Sequence, residues 1–197
     1  MELPLALKIA YTVFVAVLVP VYWKAYGPGN FLWLCDVALF GAGAALWLES
    51  RLLASMMLLA MVPELVWNAD FFGRLATGRH LVGMTAYMFD RALPLHTRAL
   101  SGFHVFLPVL LVWVTARSGY DPRALPAQTA LTWALVLASY GLTRPADNVN
   151  YVFGAFGPGT RPQRRLPPRL YLLVVLAVVP LLYWPAHAVL ARLFPAP

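Results

Sequence analysis

Apolar residues run along this chain in blocks rather than in the alternating or every-third-or-fourth patterns of soluble strands and helices. The blocks Leu5–Trp23, Phe31–Leu48, Leu52–Phe72, Leu100–Ala116, Ala127–Thr143 and Leu170–Val189 each come near the roughly 20 apolar residues that a helix needs to cross a hydrocarbon core. They predict an all-α polytopic membrane bundle, about six transmembrane helices in one integral membrane domain over residues 1–197. Between the third and fourth blocks, HLVGMTAYMF is apolar but too short to cross, and Asp90, Arg91 and Pro94 follow it. An interfacial or re-entrant segment is expected over Arg74–Arg98. The stretch GPGTRPQRRLPPR, Gly157–Arg169, reads as a loop because its prolines break a helix. GPGN at Gly27 and GPGT at Gly157 read as turns, with Asn30 as the N-cap of the second span.

Composition agrees with this reading. Hydrophobic residues make up 61% of the chain and charged ones 12%, against roughly 45–50% and 25% in an average soluble domain. The first block lacks the basic start and small-residue cleavage site of a signal peptide, so it counts as a spanning helix. A net charge of +7 would elsewhere suggest nucleic acid, but here the basic residues lie between apolar blocks and describe topology. No nucleic-acid partner is expected. Lys24, Arg74, Arg79, Arg91, Arg98, Arg144, Arg161, Arg164, Arg165 and Arg169 fall on one side. Lys8, Arg51, Arg117, Arg123 and Arg192 fall on the other. Ten against five puts the first group in the cytoplasm and both termini outside. A prokaryotic cell (inner) membrane is the expected location.

Polar side chains inside a span cost a few kcal/mol each, so each needs a partner, a cavity or a function. Cys35 and Asp36 lie early in the second block, Glu64, Asn68 and Asp70 late in the third, His104 early in the fourth, and Asn148 and Asn150 after the fifth. All except Glu64 share a depth near the cytoplasmic face, where they predict a polar pocket. Glu64 and Asn68, four apart, share a helix face. Hydrogen bonding between helices is the alternative use of such residues. Cys35 is the single cysteine, which excludes an intrachain disulfide and a zinc site of several thiolates. Cys35 and His104 could form a nucleophile and base, with Asp36, Asp70 or an asparagine orienting the ring. Cys35 could equally be a small packing residue. Asp36, Glu64, Asp70, His96 and His104 offer metal-ligand atoms, but no HxxxH or HxxE spacing joins them, and His80 and His187 read as interfacial. With no phosphate loop and no GxSxG elbow, neither metal nor organic cofactor is expected.

Three stretches, YGPGNFLWLCDVALF (Tyr26–Phe40), AYMFDRALPLHTRALSGFHVFLPVLLVW (Ala86–Trp113) and DNVNYVFGAFGPGTRP (Asp147–Pro162), together resemble a known superfamily. It contains the androgen-induced and androgen-dependent TFPI-regulating membrane hydrolases, cysteine-dependent lipid acyltransferase relatives and bacterial YwaF-type integral membrane proteins. In the hydrolase branch a threonine nucleophile aligns with Trp33, which cannot serve. In the other branches a cysteine sits in a place similar to Cys35. The resemblance implies a base role for His104, and it marks Asn150 and Tyr151 as similar to a signature after the fifth span. It implies a six-helix bundle with an intramembrane pocket and acyl transfer or ester hydrolysis on a lipid. Asn68 or Asn150 would donate to the oxyanion, and Glu64, Asp70 and Tyr151 would line the substrate site.

The expected function is therefore a membrane-embedded lipid acyl hydrolase or acyltransferase with a membrane lipid as substrate. A non-enzymatic carrier of a lipid or other hydrophobic ligand is the second possibility, and an accessory subunit of a membrane complex the third.

Overall fold

In hydrocarbon every backbone N–H and C=O must find a partner within the protein, so apolar blocks become helices. The computed structural model describes residues 2–155 and 161–195, and among these there is no β-strand. Eight helices follow in order: α1 (Leu5–Tyr26), α2 (Leu34–Leu48), α3 (Arg51–Ala60), α4 (Glu64–Thr77), α5 (Leu95–Leu100), α6 (Phe103–Ser118), α7 (Ala124–Leu142) and α8 (Pro168–Leu193). Three are long and apolar enough to cross a membrane: α1, the α5–α6 unit over Leu95–Ser118, and α8. The pair α3 and α4 meets the same test only when taken together, and it is bent by 52°. Length and composition thus qualify three helices, or four with the bent pair, where the apolar blocks predict about six.

Two of the differences have local causes. The third block is interrupted at Met61–Pro63, because Pro63 lacks an N–H and its ring crowds the preceding turn. Short-range bonds from Glu64 N to Met61 O and from Leu65 N to Val62 O close the gap, and α4 starts in a new direction. The second block loses its first turn to a 3₁₀ segment, Pro28–Leu32. α2 therefore has 15 residues, about 22 Å of rise, and it begins at Leu34.

Small side chains bring α2 and α3 together. Ala38, Ala42 and Ala45 of α2 and Ala54 of α3 are all buried, and a Cβ on Gly41 would run into the Met57 side chain. Close approach of this kind is how helices associate where lipid is as apolar as leucine. The outward faces are apolar too: Leu5, Ile9, Val13 and Val17 form one exposed stripe on α1, set by the four-residue repeat of a helix face. Leu173, Leu181 and Trp184 do the same on α8. Between Gly78 and Pro94 the only regular element is the 3₁₀ turn Ala86–Phe89. The described part of the Pro- and Arg-rich loop, residues 161–167, is likewise irregular; the GPGT turn lies outside the described residues.

The end of the bundle away from Cys35 is fastened by charge. Asp121, in the α6–α7 turn, accepts from Arg123 Nε at 3.1 Å and Nη2 at 2.8 Å, and Arg51 Nε stands 3.7 Å away at the start of α3. Its own N–H donates to Ser55 Oγ at 2.9 Å. The hydrogen bonds from Arg123 hold the Asp121 carboxyl below the usual aspartate range. A lowered pKa stabilises the fold above the unfolded-state value of about 3.9, and that stability is lost as pH falls through the folded-state value. Thermal unfolding in detergent should therefore show a drop in Tm as the solution is acidified below about pH 4. Asp121→Asn should lower Tm at neutral pH and make this acid-induced drop smaller. An Asp121→Asn protein with the same acid response as wild type would refute the assignment.

Candidate functional site

Cys35 occupies the second position of α2, and that helix start is built from a distant part of the chain. Asn150 Oδ1 accepts the Leu34 N–H at 2.9 Å, while its Nδ2 donates to Leu32 O at 2.7 Å and to Ser139 Oγ at 2.9 Å. Asn148, Asn150 and Tyr151 all have positive φ, at 41°, 53° and 58°, a region that costs non-glycine residues energy and persists where surrounding bonds hold it. Asn148 supplies two of those bonds, accepting from Phe153 N and donating to Gly154 O, both at 2.9 Å. The capping role expected of Asn30 thus belongs to Asn150. Asn30 instead donates to Asp36 Oδ2 at 2.9 Å, because the 3₁₀ turn carries its side chain toward the acid rather than toward the free amides.

His104 sits in the first turn of α6. Its Nδ1 lies 2.6 Å from Glu64 Oε2, the ring stacks on Trp67 with centroids 4.5 Å apart and 22° between planes, and Phe103 lies against it at 4.1 Å. Asn68 Nδ2 donates both to His104 O at 2.8 Å and to Glu64 O at 2.9 Å, so α4 holds α6 by backbone and side chain together. One ligand atom each from Cys35, Glu64 and His104 lies within 4.8 Å of the other two. Three helices, α2, α4 and α6, therefore bring a thiol, a carboxylate and an imidazole to one buried point. An ionised carboxylate only accepts, so against an ionised Glu64 the ring donates from Nδ1 and turns Nε2 away from the acid.

Glu64, the acid set apart by depth in the sequence, is the one that meets Cys35 and His104. The 52° bend after α3 takes it off the line on which that depth was counted. Asp36 is buried but not part of the group; its Oδ1 has no hydrogen-bond partner among the described residues. Neighbouring residues on a helix point about 100° apart, which separates it from the Cys35 sulfur. Asp70 lies two turns from Glu64 and does different work. Its Oδ1 accepts the N–H groups of Leu81, Val82 and Gly83, and its Oδ2 accepts the N–H and hydroxyl of Thr85. Asp70 folds the Gly78–Pro94 segment and does not orient the ring.

The two amides proposed as oxyanion donors, Asn68 and Asn150, each direct their NH₂ group at two acceptors already. The N–H groups of Cys35 and Asp36 belong to the first turn of α2 and follow the one that Asn150 caps. Tyr151 packs edge-on against Trp33 at 5.5 Å and stands within electrostatic range of Glu64 and Cys35. Sequence reading missed Trp67, Ser139 and the pair Tyr22–Ser101, whose hydroxyls meet at 2.6 Å. Trp67 was legible in one respect: it is three residues from Glu64 and so shares its helix face. His96 is exposed, His80 stands beside Asp70, and His187 lies 2.9 Å from the Tyr120 hydroxyl; none joins the cluster.

Compared with protein-family models, with curated proteins and with solved structures, the chain matches none.

Asn150→Ala removes the cap of α2 and leaves Leu32 O and Leu34 N without their partner, a loss of about 2 kcal/mol or more when such groups are buried. Tm in detergent should fall, and Cys35 should react faster with a water-soluble thiol reagent as its helix start frays. Unchanged Tm and unchanged Cys35 reactivity would show that Asn150 does not hold the site.

Proposed function

We propose that this chain is a membrane-embedded lipid acyl hydrolase or acyltransferase in which Cys35 is the nucleophile, His104 the proton carrier and Glu64 the carboxylate that orients the ring. The observation that carries the reading is the meeting of Cys35, Glu64 and His104 within 4.8 Å. A nucleophile, a base and an orienting group are the three parts that activated-nucleophile sites share. The resemblance of the three sequence stretches to thiol-dependent lipid enzymes points the same way. So does an open apolar groove between α1 and α6, lined by Phe14, Val105, Phe106 and Val109, which suits an acyl chain.

In this mechanism His104 Nε2 takes the proton of the Cys35 thiol as sulfur attacks the ester carbonyl carbon. A water or a small rotamer change would bring Nε2 and the sulfur together, as unliganded sites often require. The tetrahedral oxyanion accepts from the free Cys35 and Asp36 N–H groups, aimed by the start of α2. The C–O bond breaks, the leaving alkoxide takes the proton from His104, and a thioester remains. Water, or the hydroxyl of a second lipid, then gives its proton to His104 and attacks the thioester. The C–S bond breaks, and the sulfur recovers its proton. The proposal includes six crossings, with α2 and α7 as short spans, the site near the cytoplasmic face, and both termini outside a prokaryotic cell membrane.

The same donor set would also suit a zinc ion, and three ligands with an open position is the pattern of catalytic zinc. A shared ion would displace the 2.6 Å bond between His104 and Glu64, because two ligand atoms on one tetrahedral zinc lie about 3.5 Å apart. That bond favours the thiol reading.

Full-length protein in lipid–detergent micelles, given a fluorogenic acyl ester, should form a thioester on Cys35 detectable by mass spectrometry of the intact chain. Cys35→Ala should abolish the adduct, and His104→Ala should slow its formation by about 10²–10⁴-fold. Glu64→Gln should fall between His104→Ala and wild type. Absence of any adduct, together with ligand binding that survives Cys35→Ala, would leave a carrier in place of an enzyme. Stoichiometric zinc that must be present for turnover would replace the covalent mechanism with a metal one.

A further inference from the structure

A row of aromatic rings leads from the cluster to a cation. Trp67 stacks on His104 at 4.5 Å, Phe71 on Trp67 at 5.2 Å, and Phe89 lies against Phe71 at 5.7 Å. The Arg74 guanidinium then sits 5.5 Å from the centre of the Phe89 ring. Trp67 and Arg74 are seven residues apart on α4, about 10 Å of helix rise. The wall therefore has His104 at its foot and Arg74 at its head.

Arg74 is half-buried, and no carboxylate pairs with it among the described residues. The acids nearest in sequence are otherwise engaged: Asp70 with the backbone of Leu81, Val82, Gly83 and Thr85, and Asp90 with the Ala92 N–H at 2.8 Å. Arg98 is also engaged, donating to Leu93 O at 3.1 Å and to Met88 O at 3.0 Å, and it holds the loop that carries Phe89. Arg79 and Arg91 are exposed on the same segment and likewise lack a carboxylate partner among the described residues. The half-buried Arg74 and the exposed Arg79 and Arg91 thus share a segment whose single exposed acid is Asp90. A partly desolvated guanidinium calls for an anion, and its planar fork matches phosphate. At the headgroup boundary the anions in supply are lipid phosphates.

We propose that Arg74, backed by Arg79 and Arg91, binds the phosphate of an anionic phospholipid or lysophospholipid and so selects the lipid whose acyl ester reaches Cys35. The proposal rests on the acyl-transfer reading for what happens at the ester, but not for the binding. The segment offers too little negative charge to hold a choline or ethanolamine ammonium, so an anionic headgroup is preferred over a zwitterionic one.

The test is competition binding to full-length protein in neutral detergent, using a phosphatidylglycerol with a fluorescent acyl chain as the probe. Unlabelled phosphatidylglycerol should displace it at least about fivefold better than phosphatidylcholine or diacylglycerol of the same chains. Arg74→Gln should erase that preference, Arg74→Lys should keep most of it, and Arg192→Gln, at the far end of α8, should leave it unchanged. Equal displacement by all three lipids, or a preference that survives Arg74→Gln, overturns the proposal. Displacement by inorganic phosphate as effective as that by phosphatidylglycerol would mean a free-anion site and would overturn it too. The two readings fail separately: headgroup preference without a Cys35 thioester refutes only the acyl transfer, and a thioester formed without headgroup preference refutes only the phosphate site.

Discussion

A carboxylate and an imidazole buried together at 2.6 Å set the terms for much of this structure. Glu64 and His104 stand on different helices, and neither can be left alone in an apolar interior: removing one partner of a buried pair costs about 3–5 kcal/mol. The pair therefore holds the start of α4 against the start of α6. Asn68 repeats the constraint one turn along through His104 O, and Trp67 repeats it through ring stacking. With α4 fixed at that point, the break at Pro63 is the way α3 can still pack along α2.

Nearby, a second constraint acts through the backbone. The start of α2 has no side-chain cap of its own, and buried N–H groups without a partner are costly. Asn150 meets that need from 116 residues away, in a conformation that costs energy locally and is held by Asn148. Asn150 occupies the first N–H of α2 and leaves the next two, of Cys35 and Asp36, for the proposed oxyanion. A cap from the preceding turn, such as Asn30 would have supplied, reaches the second or third N–H and would close that space.

Much of this was legible in the sequence, and the rest was hidden for definite reasons. Apolar blocks gave helix positions because internal hydrogen bonding leaves few alternatives in lipid. Cys35 and His104 stood out as a thiol and an imidazole near the starts of two apolar blocks. Glu64 was misplaced because depth was counted along a straight helix. A single proline, Pro63, followed by a 52° bend, invalidates such counting without altering the hydropathy. Asn30 and Asn150 were exchanged because both are asparagines beside turns; which one reaches α2 depends on contacts far apart in the chain, and no local pattern records them. The job of Asp70 was hidden for the same reason, since its partners are backbone N–H groups that carry no sequence signature.

The three buried acids near the site show why residue type alone does not assign a role. Asp70 accepts five hydrogen bonds from protein donors, so a proton or a substrate group would have to compete with a folded loop. Asp36 keeps one oxygen on Asn30 and has one without a partner; no cation stands beside it among the described residues. Asp70 also has an imidazole beside it, His80 Nδ1 at 3.3 Å, but both its oxygens are already spent on the loop. Glu64 differs because its carboxylate meets the His104 ring at 2.6 Å with no other side-chain hydrogen bond among the described residues. The acid set against the ring nearest Cys35 is therefore Glu64, even though the sequence places Asp36 directly beside the thiol.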